Sequence, residues 1–325
     1  MNVKKTLLIE LSNANGEYIS GSELARQLGV SRNAVWKAVK ALENDGYNIE
    51  SVTAKGYRLS SDNNVISSEI IASKNKSKRL CGEIIILNET TSTNNYAKEL
   101  AANGAAHGTV IIAEKQTSGK GRLGRKFESP SGKGLYMSVI VRPEFPIEFA
   151  PLITSAAAVA SAEAVEKLCD CHVGVKWVND LYMNGKKICG ILTEASLGLE
   201  MNMLDFAVIG IGINVRSFDF GSELNSRVTT IEDASDKIIS RNELCALILE
   251  RLEIYLDGIE NRSHLEEYRR REILTGNIIT ANAGNQTVRG FAEGVDDNAN
   301  LRITLEDGKV FILSSGEANL CRIIK

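Results

Sequence analysis

The sequence predicts an α+β chain built from several domains, and three observations support this fold class. Two capped helix patterns and a basic hairpin occupy residues 1–60. Strand and helix patterns then alternate through the centre, and short strand patterns follow one another from residue 277 to 324. A chain of 325 residues is long enough for two or three domains. We place the domains at 1–60, 66–272 and 273–325, with a polar linker at 60–65.

Two helix signals joined by a glycine turn come first. Ser20 and Glu23 form a capping box for a short helix that ends at Gly29. Ser31 can cap a second helix over residues 32–44, whose apolar positions form one stripe. Two short helices joined by a tight turn that contains glycine are typical of a helix-turn-helix.

The second helix and the hairpin after it carry side chains suited to DNA. The hairpin spans residues 47–59 with Lys55 in its turn, which is the shape of a wing. Arg, Lys and Asn side chains outside the apolar stripe can contact phosphates and base edges. Trp36 fits either a buried position or one that faces phosphates, and a helical protein-interaction module is the alternative for the whole segment. The predicted DNA-binding residues are Ser31, Arg32, Asn33, Lys37, Lys40 and Lys55.

The central region alternates strand and helix patterns. Asn184-Gly185 between two apolar runs, 173–183 and 186–192, is a strong hairpin signal. Further strands are predicted at 83–87, 109–114, 135–141 and 206–215, and helices at 94–103, 151–168 and 240–256. In the last domain the predicted strands are 277–281, 287–295, 301–305, 309–313 and 320–324, a spacing that suggests a small barrel.

Residues 119–126, here called the basic loop, read Gly-Lys-Gly-Arg-Leu-Gly-Arg-Lys. Glycine lets a backbone approach a ligand closely, and an anion would relieve the repulsion among the cations. The loop therefore predicts a clamp for phosphate and carboxylate groups, with a solvated hairpin loop as the alternative. No helix opens after it and no Gly-Lys-Ser/Thr ends it, which excludes a dinucleotide fingerprint and a P-loop.

Three further segments carry candidate ligand-binding groups. Hydroxyls and an amide cluster at 90–94, where one of them is enough to cap the helix. By strand alternation Lys187 shares a face with Cys189 and Ile191, which suggests a buried anion beside it, although the turn also lets it reach water. Asn179 and Asp180, near the end of a strand, could bind ribose or a metal-bound phosphate.

The strand at 206–215 has isoleucines on one face and small or polar residues on the other. Gly210, Gly212 and Asn214 share the second face. Two missing side chains beside one amide suggest a ligand lying against the sheet, and close helix packing is the alternative.

Composition narrows the class of protein. The net charge of −3 means that any nucleic-acid contact must come from a local patch. No run of about 18 apolar residues and no signal peptide are present, so we expect a cytoplasmic protein without a membrane partner. Six scattered cysteines without C-x-x-C and three histidines argue against a disulfide framework and a His-rich metal site.

Taken together, the motifs resemble the biotin protein ligase family, and with the N-terminal winged helix the whole chain resembles its bifunctional members, which also repress a biotin operon. The resemblance implies a catalytic domain similar to class II aminoacyl-tRNA synthetases and a small SH3-like C-terminal domain. The matching segments are Gly119 to Arg125, Ser129-Pro130-x-Gly132, Lys176-Trp177-x-Asn179-Asp180, Lys187-Ile188-Cys189-Gly190-Ile191-Leu192-x-Glu194 and Gly210-Ile211-Gly212-Ile213-Asn214.

The resemblance also implies a two-step reaction and the residues that hold biotin. Biotin and MgATP give biotinyl-5′-adenylate, which then acylates a lysine of a carboxyl carrier protein. Arg122 and Lys187 are expected to be catalytic, because preorganised cations lower the barrier for joining two anions. The residues expected to bind biotin are Ser92, Thr93, Asn94, Gln116, Lys120, Gly121, Arg122 and Lys187.

The nucleotide side and the partners follow from the same resemblance. ATP and Mg²⁺ are the implied cofactors, with Asp180 as a magnesium ligand. The partners implied are the biotin carboxyl carrier protein, operator DNA and a second copy of the chain when the adenylate is bound. The residues expected to bind the nucleotide are Lys120, Arg122, Arg125, Lys176, Asn179, Asp180 and Asn214.

The sequence departs from the family pattern at three places. Lys120 and Leu123 stand where relatives often carry arginine, which changes the charge that retains the adenylate. Val178 stands where proline is frequent, and residues 297–300 replace an Asp-Gly turn. Two other functions remain open at this point: a winged-helix transcription factor that senses a metabolite without ligase activity, and a lipoate or octanoate transferase.

Overall fold

The computed structural model describes residues 2–80, 82–198, 202–284 and 286–321, which form three β-sheets. Short 3-10 turns lie at Arg122–Gly124 and Ile147–Phe149. The helices are α1 (Val3–Asn13), α2 (Gly21–Leu28), α3 (Arg32–Asn44), α4 (Ser68–Lys74), α5 (Thr93–Ala102), α6 (Leu152–Cys169), α7 (Ile231–Ser235), α8 (Arg241–Asp257) and α9 (Leu265–Arg271). The strands are β1 (Ile49–Val52), β2 (Gly56–Leu59), β3 (Ile84–Leu87), β4 (Val110–Ala113), β5 (Gly134–Val141), β6 (Gly174–Lys176), β7 (Asp180–Met183), β8 (Lys186–Leu197), β9 (Leu204–Asn214), β10 (Ile278–Ala283), β11 (Gln286–Val295), β12 (Leu301–Leu305), β13 (Val310–Leu313) and β14 (Glu317–Leu320).

The N-terminal unit is a helix-turn-helix followed by a two-stranded wing. Ser20 caps α2 by accepting from Glu23 N at 3.1 Å, and Ser31 caps α3 in the same way. The helix α2 ends at Gly29 in the left-handed conformation, as a glycine at this position allows. The helix α1 was not predicted, but its leucines complete the core of this unit together with apolar residues of α2 and α3.

The central unit is built on a mixed seven-stranded sheet in the order β3-β4-β5-β9-β8-β7-β6. Strands β3 and β4 pair in parallel through α5, and the other pairs are antiparallel. The helix α5 covers one face of the sheet, where it shares an apolar cluster with β4, β5 and β9. Helices α6 and α8 pack on the other face and bury the main core, so α5 and the basic loop share the remaining side with solvent.

The segment predicted as a linker is fastened to the central unit. Asn64 Nδ2 donates to the Gly132 carbonyl at 2.8 Å, and the Arg241 side chain donates to Asn64 Oδ1 at 2.9 Å. Arg241 is 3% exposed and also donates to Glu114 Oε2 at 2.9 Å. Asn64 of this segment therefore belongs to a specific hydrogen-bond network and is not part of a free tether.

The last unit is a five-stranded antiparallel sheet in the order β13-β12-β11-β10-β14. The strand predicted at 320–324 begins three residues earlier as β14, and residues 322–325 lie outside the described part of the chain. The unusual turn at 297–300 closes because Asp296 Oδ1 accepts from the backbone of Asn298 and Asn300, each at 2.9 Å. Trp177 Nε1 donates to Ala299 O at 2.8 Å, which joins this sheet to the central unit.

Within the described ranges, no helix has the length and apolar character needed to span a membrane.

Candidate active site

A cavity of about 590 Å³ lies between the basic loop, the central sheet and β14. The structure brings together every residue predicted to bind biotin and all but one of those predicted to bind the nucleotide. The predicted residues that line it are Ser92, Thr93, Asn94, Gln116, Lys120, Gly121, Arg122, Arg125, Lys176, Asn179, Asp180 and Lys187.

Hydroxyl and amide groups form one end of the cavity at the start of α5. Ser92 occupies the N-cap position, but its side chain makes no capping hydrogen bond. Instead, Gln116 Oε1 accepts from Thr93 N at 2.9 Å, and Ser138 Oγ lies 2.7 Å from both Thr93 Oγ1 and Asn94 Oδ1. These groups are therefore held in fixed positions, which a neutral polar ligand with its own donors and acceptors requires.

Asn94 is held from the sheet side as well. Its Nδ2 donates to Leu192 O at 3.1 Å and to Glu194 Oε2 at 2.9 Å. Burial alone would raise the pKa of Glu194, but hydrogen bonds from Lys98 and Asn94 outweigh it and leave the pKa below its ordinary value. Glu194 therefore stays charged and keeps the amide oriented.

The two glycines of β9 make room for side chains that build the cavity. A Cβ at Gly210 would lie 2.1 Å from Asn94 Oδ1, and one at Gly212 would lie 2.8 Å from the Phe127 ring. Gly210 thus admits the side chain at the start of α5, as the helix-packing alternative expected. Both glycines also line the cavity, where the absence of their side chains leaves room for Asn94 and Phe127.

The basic loop folds back onto the cavity. Gly121 N donates to Arg125 O at 2.7 Å, and Leu123 adopts φ 55° with its side chain exposed. Lys120 Nζ donates to Asn95 Oδ1 at 2.9 Å, and Arg122 Nη1 donates to Asn179 Oδ1 at 3.1 Å. The loop therefore presents its cations to the cavity from positions fixed by neighbouring segments.

Lys187 lies on the opposite face of β8 from the one that strand alternation predicted. A bulge shifts the register between β7 and β8, so Tyr182 pairs with Lys187 while Asp180 pairs with Gly190. Lys187 consequently lies on the face of Gly190, and the prediction that it shares a face with Cys189 and Ile191 is wrong. Its Nζ is 2.6 Å from Asp180 Oδ1, which supplies the anionic partner.

Several cavity residues were missed by sequence reasoning. Arg227 and Leu224 come from the loop after β9, whose backbone pairs with Lys187 through Arg227 O at 2.9 Å. Glu317 pairs with Arg125 at 2.6 Å, and Asn319 accepts from Lys176 Nζ at 2.6 Å. The loop after β9 is polar, and the start of β14 is not marked in the sequence. Neither segment therefore carries a local signal that it contacts the cavity. Phe127, at the end of the basic loop, was also missed.

Lys176 lies between the central sheet and β14. Burial lowers the pKa of Lys176 below its ordinary value, while the nearby carboxylates of Asp180 and Glu317 act in the opposite direction. Part of its charge is therefore compensated by protein groups before any ligand binds.

Asn214 does not line the cavity. It is 2% exposed, and its Nδ2 donates to Thr229 O at 3.2 Å. Among the described residues its Oδ1 has no hydrogen-bond partner. Its assignment to the nucleotide remains a prediction.

The residues predicted to bind DNA are all exposed on the N-terminal unit: Ser31, Arg32, Asn33, Lys37, Lys40 and Lys55. Lys40 pairs with Glu43 at 2.6 Å, and the Lys55 ammonium lies 5.7 Å from the centre of the Tyr18 ring. Trp36 is 49% exposed, so the buried position considered for it is wrong.

The chain is similar to known proteins in both its central unit and its N-terminal unit. Residues 86–214 match the Biotin/lipoate A/B protein ligase family, and residues 3–58 match an HTH domain. The chain is 36% identical over 313 residues to the bifunctional ligase/repressor BirA of Bacillus spizizenii, covering 94% of this chain and 95% of that protein. It is 30% identical over 311 residues to BirA of Escherichia coli, covering 94% of each.

A solved structure agrees in fold and extends over most of the chain. The biotin protein ligase from Aquifex aeolicus, in complex with biotin and ATP, has a TM-score of 0.62 and 30% sequence identity. The match covers 74% of this chain and 99% of that one.

Proposed function

The chain belongs to the family of bifunctional ligase/repressor proteins, and from this premise we propose that it is an ATP-dependent biotin protein ligase that also represses transcription of genes for biotin synthesis or uptake. The observation that carries the ligase proposal is one cavity with a neutral hydrogen-bonding end and a cationic end. A cyclic urea matches the hydrogen-bonding end. Its carboxylate tail and a nucleotide phosphate match the cationic end.

The first step joins two anions. A carboxylate oxygen of biotin attacks the α-phosphorus of ATP, the bond to the β-phosphate breaks, and pyrophosphate leaves. Lys187 and Arg122 lie at the cationic end, where they offset the charge that accumulates on the carboxylate and phosphate oxygens. They act by position and charge, so no covalent enzyme intermediate is required.

The second step transfers biotin to the carrier. The amine of a carrier lysine attacks the acyl carbon of the adenylate, and AMP leaves. Ser92, Thr93 and Asn94 hold the ureido ring during both steps, and Gln116 fixes the position of Thr93. Lys176, Asn179 and Arg125 serve the nucleotide, together with the carboxylate of Asp180.

The residues present fit a magnesium ion that is held largely by nucleotide phosphates. Asp180 and Glu317 are carboxylates that line the cavity, and within the described ranges no cluster of three or more His, Cys, Asp or Glu could hold a metal. Magnesium is commonly bound through one or two carboxylates plus substrate phosphates. Asp180 would hold it, and the ion would supply further positive charge to the phosphates.

The architecture we propose has a winged-helix domain at 1–60, a class II synthetase-like catalytic domain at 66–272 and an SH3-like domain at 273–325. The antiparallel sheet β10–β14 supports the last assignment.

The five described cysteines are free thiols, as expected for a protein of the reducing cytoplasm. The adenylate-bound form is a homodimer, because two recognition helices match a two-fold operator.

Adenylate formation tests the ligase site. Arg122→Ala and Lys187→Ala should each slow biotin-dependent pyrophosphate exchange by about 100-fold or more, since each removes charge stabilisation at the reacting oxygens. Lys115→Ala is the control, because Lys115 pairs with Glu89 at 2.7 Å outside the cavity. Exchange at the rate of the unchanged protein in both cationic variants would remove these residues from the reaction.

DNA binding tests the repressor half separately. Gel shifts with the promoter of a biotin gene should require biotin and MgATP together, and binding should weaken steeply as salt rises. A ligase that never retards such DNA would be monofunctional. Retarded DNA without any adenylate formation would instead favour a metabolite-sensing transcription factor.

A further inference from the structure

The recognition helix α3 presents a large aromatic side chain to solvent. Trp36 is 49% exposed, whereas Val35, Val39 and Leu42 of the same helix are at most 1% exposed. The apolar stripe that packs α3 against α1 and α2 is therefore complete without Trp36. Its exposed indole surface is available to a partner rather than to the core.

The surroundings of Trp36 favour DNA as its partner. At about 100° per residue, Arg32, Trp36, Lys40, Asn33 and Lys37 follow one another over an arc of about 140° on α3. Trp36 lies about 40° along that arc, between Arg32 and Lys40, and all five side chains are exposed. A surface of this charge is complementary to nucleic acid, so Trp36 faces the groove when the cations on either side of it contact the phosphates.

The chemistry of the indole limits what it can read there. Its apolar ring carries a single donor and no acceptor, so it cannot make the bidentate contacts that distinguish guanine or adenine. In the major groove the apolar feature of the base edges is the 5-methyl group of thymine. An aromatic ring on a groove-facing surface therefore has thymine as its apolar target.

We propose that Trp36 is a specificity-determining residue that packs against the 5-methyl group of one thymine in each half-site of the operator. This inference rests on the proposed repressor function. It assigns sequence preference to Trp36 and leaves overall affinity to the surrounding cations, which bind phosphates in any sequence.

The test is a thermodynamic cycle between protein and DNA. The probe is a duplex enriched by the unchanged full-length protein from a random-sequence library, in the presence of biotin and MgATP. Each thymine is then replaced by deoxyuridine, which removes only the methyl group. At one symmetric pair of positions, deoxyuridine should weaken binding about fourfold per half-site, the loss expected for one buried methyl. This measurement on the unchanged protein needs no variant to fold.

Two variants complete the cycle. Trp36→Ala should abolish the effect of deoxyuridine at those positions, and Trp36→Phe should restore part of it. Lys37→Ala is the matched control: it should weaken binding to all duplexes and reduce the salt dependence by about one ion, while keeping the methyl effect. Circular dichroism and the melting temperature establish that each variant is folded.

The possible outcomes distinguish failure of the Trp36 contact from failure of the repressor function. No methyl effect at any thymine, or one that persists in Trp36→Ala, would overturn the Trp36 contact while leaving repression intact. A protein that enriches no sequence at all would refute both the repressor function and the contact.

Discussion

Gly210 supports the hydrogen-bonding end of the cavity, and its replacement by alanine has a calculable consequence. The added Cβ would lie 2.1 Å from Asn94 Oδ1, an overlap that no side-chain atom tolerates. Asn94 would have to retreat by about 1 Å or more, because overpacking is relieved by displacement of the softer group. Its hydrogen bonds to Leu192 and Glu194 would break or lengthen in the process.

Two quantities should change in Gly210→Ala. Overpacking should lower the free energy of unfolding by about 1–3 kcal/mol. Displacement of a ligand-orienting group by about 1 Å should lower kcat/KM for biotin by about 100-fold. Urea unfolding measures the first quantity, and carrier labelling over a range of biotin concentrations measures the second.

A second substitution separates the clash from other effects. Asn94→Ala removes the atoms that the new Cβ would meet, so Gly210→Ala should cost little further stability in that background. The coupling between the two sites should be about 1–3 kcal/mol. Wild-type stability and biotin kinetics in Gly210→Ala alone would refute the packing on which the site description depends.

Three further predictions concern other parts of the chain. Arg241→Ala should lower the free energy of unfolding by about 3–5 kcal/mol in urea titrations, because it leaves the Glu114 carboxylate without its buried partner; a loss below about 1 kcal/mol would contradict the buried network. Burial lowers the pKa of His264 from 6.5 to about 4. As pH falls, the unfolded chain therefore binds a proton at this residue before the folded chain does. The free energy of unfolding should decrease between pH 6.5 and pH 4 by on the order of 3 kcal/mol. His264→Asn should lose this component, and an unchanged pH profile would show that His264 does not produce it. Glu317→Gln weakens the pair with Arg125, whose side chain is 67% exposed, so stability should change by about 1 kcal/mol or less while KM for ATP rises; an unchanged KM would separate β14 from the nucleotide site.

Local signals in the sequence predicted much of the secondary structure. The bounds of α3 and β12 agree with the prediction, and α2 ends at Gly29 as predicted. Caps and glycines next to these elements mark their ends, and that information is local. The helix α4 was missed because seven residues are too few for a periodic pattern, and α1 was not predicted although its leucines are buried.

The candidate site was predictable where residue type alone suggested chemistry. The basic loop and the polar cluster at 92–94 combine groups that have a clear preference for anions or for hydrogen-bonding ligands. Arg227 and Glu317 were not predictable, because Arg227 reaches the cavity through backbone pairing with Lys187 and Glu317 through the pairing of β14 with β10. The bulge that turns Lys187 toward the cavity likewise depends on the register between β7 and β8, which alternation along one strand does not contain.

Transfer of biotin to a carrier tests the central claim most directly. Purified protein is incubated with labelled biotin, MgATP and a biotin acceptor domain, and label in the acceptor is measured with and without ATP. A biotin protein ligase should give label that requires both ATP and the acceptor lysine. No label in the acceptor, with biotin still bound by the protein, would contradict the ligase function and leave a biotin sensor in its place.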